Sequence, residues 1–206
     1  MSAGNAHGGV PADLPMTVAL VGLMGAGKTA IGKRLAARLG LPFVDADVAI
    51  EKAADCTIED YFTRHGEADF RRKERQVIAR LLTEPVHILA TGGGAFIDAE
   101  TRALMRQRAL SVWLRADLDL LVARTARRTN RPLLKQGDPR EVLARLIERR
   151  YPIYAEADLI VDSEDGPLEE MVERVLLAIE RHIGRDLTRH AVPADAHHAE
   201  TMKAKP

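Results

Sequence analysis

The segment 22-GLMGAGKT-29 combines glycines, which let a backbone curl, with a lysine–threonine pair that supplies a cation and a hydroxyl. Glycine, four residues, then Gly-Lys-Thr is the pattern of a phosphate-binding loop. Curling at Gly25 and Gly27 turns successive N–H groups, that of Ala26 among them, toward phosphate oxygens. A helix starting near Lys28 would aim its positive end, with the N–H groups of Thr29 and Ala30, at the same charge. Lys28 would reach the β- and γ-phosphates, and the Thr29 hydroxyl would be a ligand for Mg²⁺. These residues point to ATP as phosphoryl donor and leave the acceptor open.

Three later clusters could hold that acceptor. The run 44-VDAD-47 carries two carboxylates at the end of an expected strand. Strand alternation would point Asp45 and Asp47 the same way, at the sheet edge where ligands bind in open α/β folds. One of them could instead only cap the helix that follows. In 68-ADFRRKERQVIARLL-82, Arg71 has Glu74 three residues on, along the same helical face. That carboxylate would orient a guanidinium able to read an acid bidentately. The third cluster is 89-LATGGGAF-96, with three successive glycines behind an apolar run. A loose turn would need one. Three suggest a surface where a Cβ at Gly92, Gly93 or Gly94 would stand in a ligand's way.

The elements that must position these groups alternate short apolar runs with amphipathic ones, as in a parallel sheet wrapped by helices. Strands are expected at Thr17–Val21, Pro42–Asp45, His87–Ala90, Leu110–Leu114 and Leu159–Val161. Ile31, Leu35 and Leu39 mark a helix from Lys28 that Gly40 closes. Helices are further expected near Val48–Ala53, Ile58–Arg64 and Ala68–Leu82, and after the caps Asp98, Asp117 and Asp138. The helix from Pro139 should end at Tyr151, because the residue before Pro152 avoids the helical region. A last helix covers Leu168–Ile179. The polar, basic stretch 127–137 reads as a mobile lid. The expected fold is a three-layer α/β domain whose five-stranded parallel sheet is flanked by helices.

Composition narrows the partners. Lys plus Arg and Asp plus Glu each total 30, so no overall field draws the 206-residue chain to nucleic acid or a membrane surface. One cysteine, Cys56, excludes an internal disulfide framework and fits a reducing compartment. Residues 1–15 lack the basic and apolar regions of a secretory signal. The stretch 185–206, with His190, His197 and His198, loses apolar periodicity. A cytoplasmic monomer with flexible ends, acting on small molecules, is expected.

The ordered set 22-GLMGAGKT-29, 45-DAD-47, Arg71 with Glu74, Gly92-Gly93-Gly94, 131-RPLL-134 and 149-RRYPIY-154 resembles shikimate kinase from about Met16 to Ile183. The resemblance implies a P-loop kinase domain over 16–184 that phosphorylates the 3-hydroxyl of shikimate with ATP and Mg²⁺. It further implies that Asp47 holds the ring hydroxyls, Arg71 and Arg150 clamp the carboxylate, and Gly93 offers its backbone. Arg131, from the lid, would reach the transferred phosphate, Arg124 would lie against adenine, and Asp45 would hold Mg²⁺ through water. Two positions depart from the family pattern: Ala30 replaces a second hydroxyl residue, and 162-DSEDGP-167 lacks a long side chain to cover adenine. Tyr151 has no evident role. The competing readings are another small-metabolite kinase, such as gluconate kinase, or a nucleotide-dependent switch with little transferase activity.

Overall fold

The computed structural model describes residues 13–126 and 138–187. Among them are five strands, all parallel, in the order β2-β3-β1-β4-β5. Strand β1 (Thr17–Val21) is central and wholly buried, as an uninterrupted apolar run covered on both faces should be. Its neighbours are β3 (Ile88–Ala90), with Leu20 opposite Ala90, and β4 (Ala109–Ala116), with Val21 opposite Trp113. The outer strands are β2 (Phe43–Asp45) and β5 (Leu159–Ser163). Four strands therefore end at one edge in the phosphate loop, Asp45, the glycine triplet and Ala116.

Helix α1 (Lys28–Leu39) buries Ile31, Leu35 and Leu39 and stops at Gly40, whose left-handed φ of 64° ends the turn. Helix α2 (Ala46–Ala54) follows β2 directly. Helix α3 (Ile58–Leu81) is broken at Gly66, where φ 77° and ψ 175° leave the helical region. That break falls between the two helical segments expected there. Helices α4 (Ala99–Arg108) and α5 (Leu118–Ala126) start at the expected caps: Asp98 accepts from the Thr101 N–H and Asp117 from that of Leu120. Helix α6 (Pro139–Tyr154) is capped by Asp138, and α7 (Leu168–Ile183) closes the fold.

Two expected helix ends come too early. Helix α7 continues past Ile179 to Ile183, where Gly184 caps it. Helix α6 runs through Pro152 to Tyr154 instead of ending at Tyr151. Proline removes an N–H from the helix and crowds the preceding turn, but side-chain anchors hold this last turn in place. The Tyr151 hydroxyl donates to the Ala116 carbonyl and that of Tyr154 to the Gly93 carbonyl. Both rings pack on Trp113, at centroid distances of 4.8 and 5.8 Å. Tyr151 thus ties α6 to the end of β4. The lid expected over 127–137, with Arg131, lies outside the described residues, as do 1–12 and 188–206.

Candidate active site

A cleft of about 470 Å³ opens at the carboxyl edge of the sheet, lined by Gly25, Gly27, Lys28, Thr29, Asp45 and Asp47 among others. Its floor is the loop between β1 and α1. Gly25 and Gly27 hold φ of 87° and 96°, which side-chain-bearing residues rarely adopt, and so turn the chain around the space above. Gly27 is also the cap residue of α1, leaving that helix's first N–H groups to face the cleft. The Lys28 ammonium folds back along the loop and donates to the carbonyls of Gly22 (2.8 Å) and Leu23 (3.0 Å). Ala26 is buried under the loop, while Ala30 is exposed on the first turn of the helix.

Thr29 donates its hydroxyl hydrogen to the Asp45 carboxylate at 2.9 Å. The other oxygen of Asp45 accepts from the Asp47 N–H at 3.1 Å, which makes Asp45 the cap of α2. The expectation that both carboxylates leave one face of a strand is therefore incorrect. Strand β2 stops at Asp45, and Asp47 sits in the first turn of the helix. The cap turns the chain so sharply that the two acids address different neighbours: Asp45 the phosphate-loop threonine, Asp47 the glycine triplet.

The triplet's bareness has a concrete use. A Cβ on Gly92 would stand 2.6 Å from Asp47 Oδ1 and 3.1 Å from Glu74 Oε1. One on Gly94 would stand 2.6 Å from Arg71 Nη2. At both positions the space is held by the protein's own carboxylates and guanidinium, which differs from the expectation that a ligand needs it. A Cβ on Gly93 would stand 3.5 Å from the backbone nitrogen of Met24, so this residue lies against the phosphate loop.

Arg71 lies over the ring of Phe70 and pairs with Glu74 at 2.7 Å, with Glu67 at 3.4 Å from its other nitrogen. Glu74 is 2% exposed. Burial pushes its carboxyl above the ordinary carboxylate range; Arg71 pulls against that, and Asp47 adds to the upward push. Arg150, half-buried on α6, donates to the Gly93 carbonyl at 2.9 Å. The Tyr154 hydroxyl takes the same oxygen, and burial pushes that phenol up to about 12. Asp47, Arg71, Gly92, Gly93, Gly94 and Arg150 are thus brought together around one shelf.

At the far end of the cleft, Arg124 is held by the Ser163 hydroxyl (2.9 Å) and the Glu164 carbonyl (2.7 Å). Ser163 in turn donates to the Ala26 carbonyl at 3.3 Å, linking Arg124 to the phosphate loop. Sequence reasoning missed Ser163 and Tyr154. For Tyr154 a signal existed: it lies four residues beyond Arg150, hence on the same helical face. Stopping the helix at Tyr151 hid it. For Ser163, nothing in 162-DSEDGP-167 distinguishes it from its polar neighbours.

The family model for shikimate kinase matches residues 24–180. A shikimate kinase of Paramagnetospirillum magneticum is 62% identical over 160 residues, covering 78% of this chain and 82% of that relative. The structure of shikimate kinase from Acinetobacter baumannii in complex with shikimate superposes with a TM-score of 0.78 at 37% identity, covering 81% of this chain and 94% of the other. A gluconokinase from Sinorhizobium meliloti, at 19% identity and TM-score 0.54 over 82% of this chain and 93% of its own, shares the fold alone. With its phosphate loop, its triplet and its paired arginines in these places, the chain belongs to the shikimate kinase family.

Proposed function

We propose that the chain transfers the γ-phosphoryl group of ATP to the 3-hydroxyl of shikimate through a cleft divided into two halves. The observation that carries this reading is the convergence of Arg71, Arg150 and Asp47 on a glycine shelf that abuts the phosphate loop. Two guanidinium groups fit a carboxylate, and an acidic side chain fits ring hydroxyls. A neutral or phosphorylated acceptor would not need both kinds. This favours a carboxylate-bearing polyol over a nucleoside monophosphate, and membership of the shikimate kinase family favours shikimate over gluconate, which carries the same two kinds of group.

On the donor side, the loop N–H groups and the start of α1 bind the phosphates, and Lys28 meets the charge that develops on the transferred group. Arg124, held by Ser163, would lie against the adenine, a role assigned on the resemblance. Thr29 and Asp45 suit Mg²⁺: both offer hard oxygen atoms, and they lie within one hydrogen bond of each other beside the loop. Among the described residues no group of three or more His, Cys, Asp or Glu side chains forms a cage. Thr29 and Asp45 would supply the protein's share of an Mg²⁺ site, since this ion is usually held by one or two protein oxygens beside substrate phosphates. When bound, Mg²⁺ supplies charge neutralisation across the phosphates.

On the acceptor side, Arg71 and Arg150 hold the carboxylate, and Asp47 orients the attacking hydroxyl. The new bond joins the 3-oxygen to the γ-phosphorus as the bond from that phosphorus to the bridging oxygen of ADP breaks. The hydroxyl proton leaves toward Asp47 or solvent. Orientation is the first role of Asp47 and proton acceptance the second, since a loose transition state asks little of a base. Arg131 is assigned to the transferred phosphate on the resemblance alone. A monomer working in the cytoplasm is part of this proposal; no helix among the described residues is long and apolar enough to cross a membrane.

An ADP-release assay across shikimate, quinate, gluconate and nucleoside monophosphates tests the assignment. Turnover is expected with shikimate, and a stronger response to gluconate or a nucleotide would overturn it. Asp47→Asn, followed in a single turnover, should slow transfer. An undiminished rate would remove Asp47 from both of its roles.

A further inference from the structure

We propose that Tyr154 is a positioning residue for the phosphoryl acceptor: its hydroxyl, together with Arg150, pins the Gly93 carbonyl and sets the glycine shelf against the phosphate loop. This deepens the function proposed above and rests on it.

Three glycines in succession have more backbone freedom than any other tripeptide, so a shelf made of them needs restraint from outside. The structure supplies it at one atom. The Gly93 carbonyl oxygen accepts from the Tyr154 hydroxyl and from Arg150 Nη1, the latter at 2.9 Å, which uses both of its lone pairs. A trans peptide sets its C=O and the following N–H antiparallel, so holding this oxygen also fixes the Gly94 N–H. Gly94 carries the guanidinium of Arg71 on one side, and Gly93 touches the phosphate loop on the other. A rotation of this one peptide would therefore disturb the carboxylate clamp and the spacing between the two substrates together.

Tyr154 is built for this task and not for filling space alone. It is fully buried, and its ring stacks on Phe96 (6.3 Å) and on Trp113 (5.8 Å), which sets the direction of its hydroxyl. A phenylalanine would fill the same volume without burying a hydroxyl, which costs free energy unless it is hydrogen-bonded. Burial keeps that hydroxyl protonated, and so a donor, throughout the neutral range. Tyr151, one turn earlier on α6, provides an internal control. It buries a similar ring against Trp113, but its hydroxyl serves the Ala116 carbonyl, away from the triplet.

The test compares Tyr154→Phe with Tyr151→Phe in full-length protein, after wild-type turnover with shikimate has been shown. Absence of wild-type turnover would count against the proposed function itself, whatever Tyr154 does. Tyr154→Phe should raise KM for shikimate by about three- to tenfold, the worth of one hydrogen bond, with KM for ATP within about twofold of wild type. Tyr151→Phe should lower the melting temperature and leave KM for shikimate in place. An unchanged KM for shikimate in Tyr154→Phe, or an equal rise for both substrates, overturns the proposal. If Tyr154→Phe does not fold, Phe96→Leu loosens the ring while keeping the hydroxyl. It should raise KM for shikimate about twofold to fourfold, and an unmoved value would overturn the proposal as well.

Discussion

The two halves of the cleft are built on different principles. The donor half is built around one contiguous loop of eight residues, 22–29, with Asp45 and Arg124 at its margins, and the loop's shape is set by backbone conformation: positive φ at Gly22, Gly25 and Gly27, and a helix that starts at Lys28. The acceptor half is collected from α2, α3, the end of β3 and α6, and its shape is set by side chains that hold one another. The difference decides what a mutation does. Damage to the donor half should strike chemistry or folding, because backbone cannot give way. Damage to the acceptor half should strike recognition and spare the fold, because side-chain tips can move.

Lys28→Ala gives the largest expected effect. Its ammonium, held by the loop's own carbonyls, is the cation proposed to meet the phosphates, and losing a donor aimed at developing charge should lower turnover by about 10²–10³. Shikimate binding, measured by calorimetry without nucleotide, should change little. A comparable loss of shikimate affinity would mean that the halves are not separable.

Gly94→Ala is the counterpart on the acceptor side. The added Cβ would stand 2.6 Å from Arg71 Nη2, the far end of a flexible side chain, so the arginine moves and the fold survives. Because Arg71 then no longer faces the carboxylate, KM for shikimate should rise about 10- to 100-fold, the loss of a charge-assisted pair. The melting temperature should shift by no more than about 2–3 °C. A large drop in stability with unaltered recognition would show that the triplet serves packing only.

Gly22→Ala sharpens the contrast from the other side. Here the added Cβ meets the Leu114 carbonyl at 2.8 Å, and φ is 132°. Neither a strand carbonyl nor this dihedral can adjust cheaply, so a loss of about 1–3 kcal/mol is expected. For a domain of this size that lowers the melting temperature by several degrees. Recovery of near-wild-type KM for shikimate in the folded fraction would support the division of labour, and a specific shikimate defect would contradict it.

The same division explains what could be read from the sequence. The phosphate loop was legible because its chemistry lies within eight consecutive residues between a strand and a helix. Arg71 with Glu74 was legible because helical spacing makes neighbours of residues three apart. The strands and most caps followed from apolar runs and from Asp98, Asp117 and Asp138. What failed depended on contacts across the fold. Asp47 is the exception, since its direction turns on Asp45 capping α2, a local bond already weighed as the alternative; Pro152 concealed Tyr154 because ring packing on Trp113 overrides a local preference. The triplet's purpose stayed hidden for the same reason: which side chains occupy the space beside Gly92 and Gly94 is a tertiary fact.

The smallest predicted effect bears on how recognition and stability are traded in the acceptor half. Burial raises the Glu74 carboxyl above its ordinary value of 4.5, so the folded chain holds this proton more tightly than the unfolded one. The stability Glu74 contributes is therefore complete below pH 4.5 and is lost as pH rises through the raised folded value. Compared with Glu74→Gln, the wild type should have its best relative melting temperature near pH 4 and lose ground toward pH 8. A relative gain with rising pH would mean that attraction to Arg71 outweighs burial. In the expected case the charged form of this buried carboxyl opposes folding while aiming a guanidinium that is a quarter exposed at the shelf. Glu74→Gln should then bind shikimate less tightly although its fold is no weaker, which separates an interaction kept for recognition from one kept for stability.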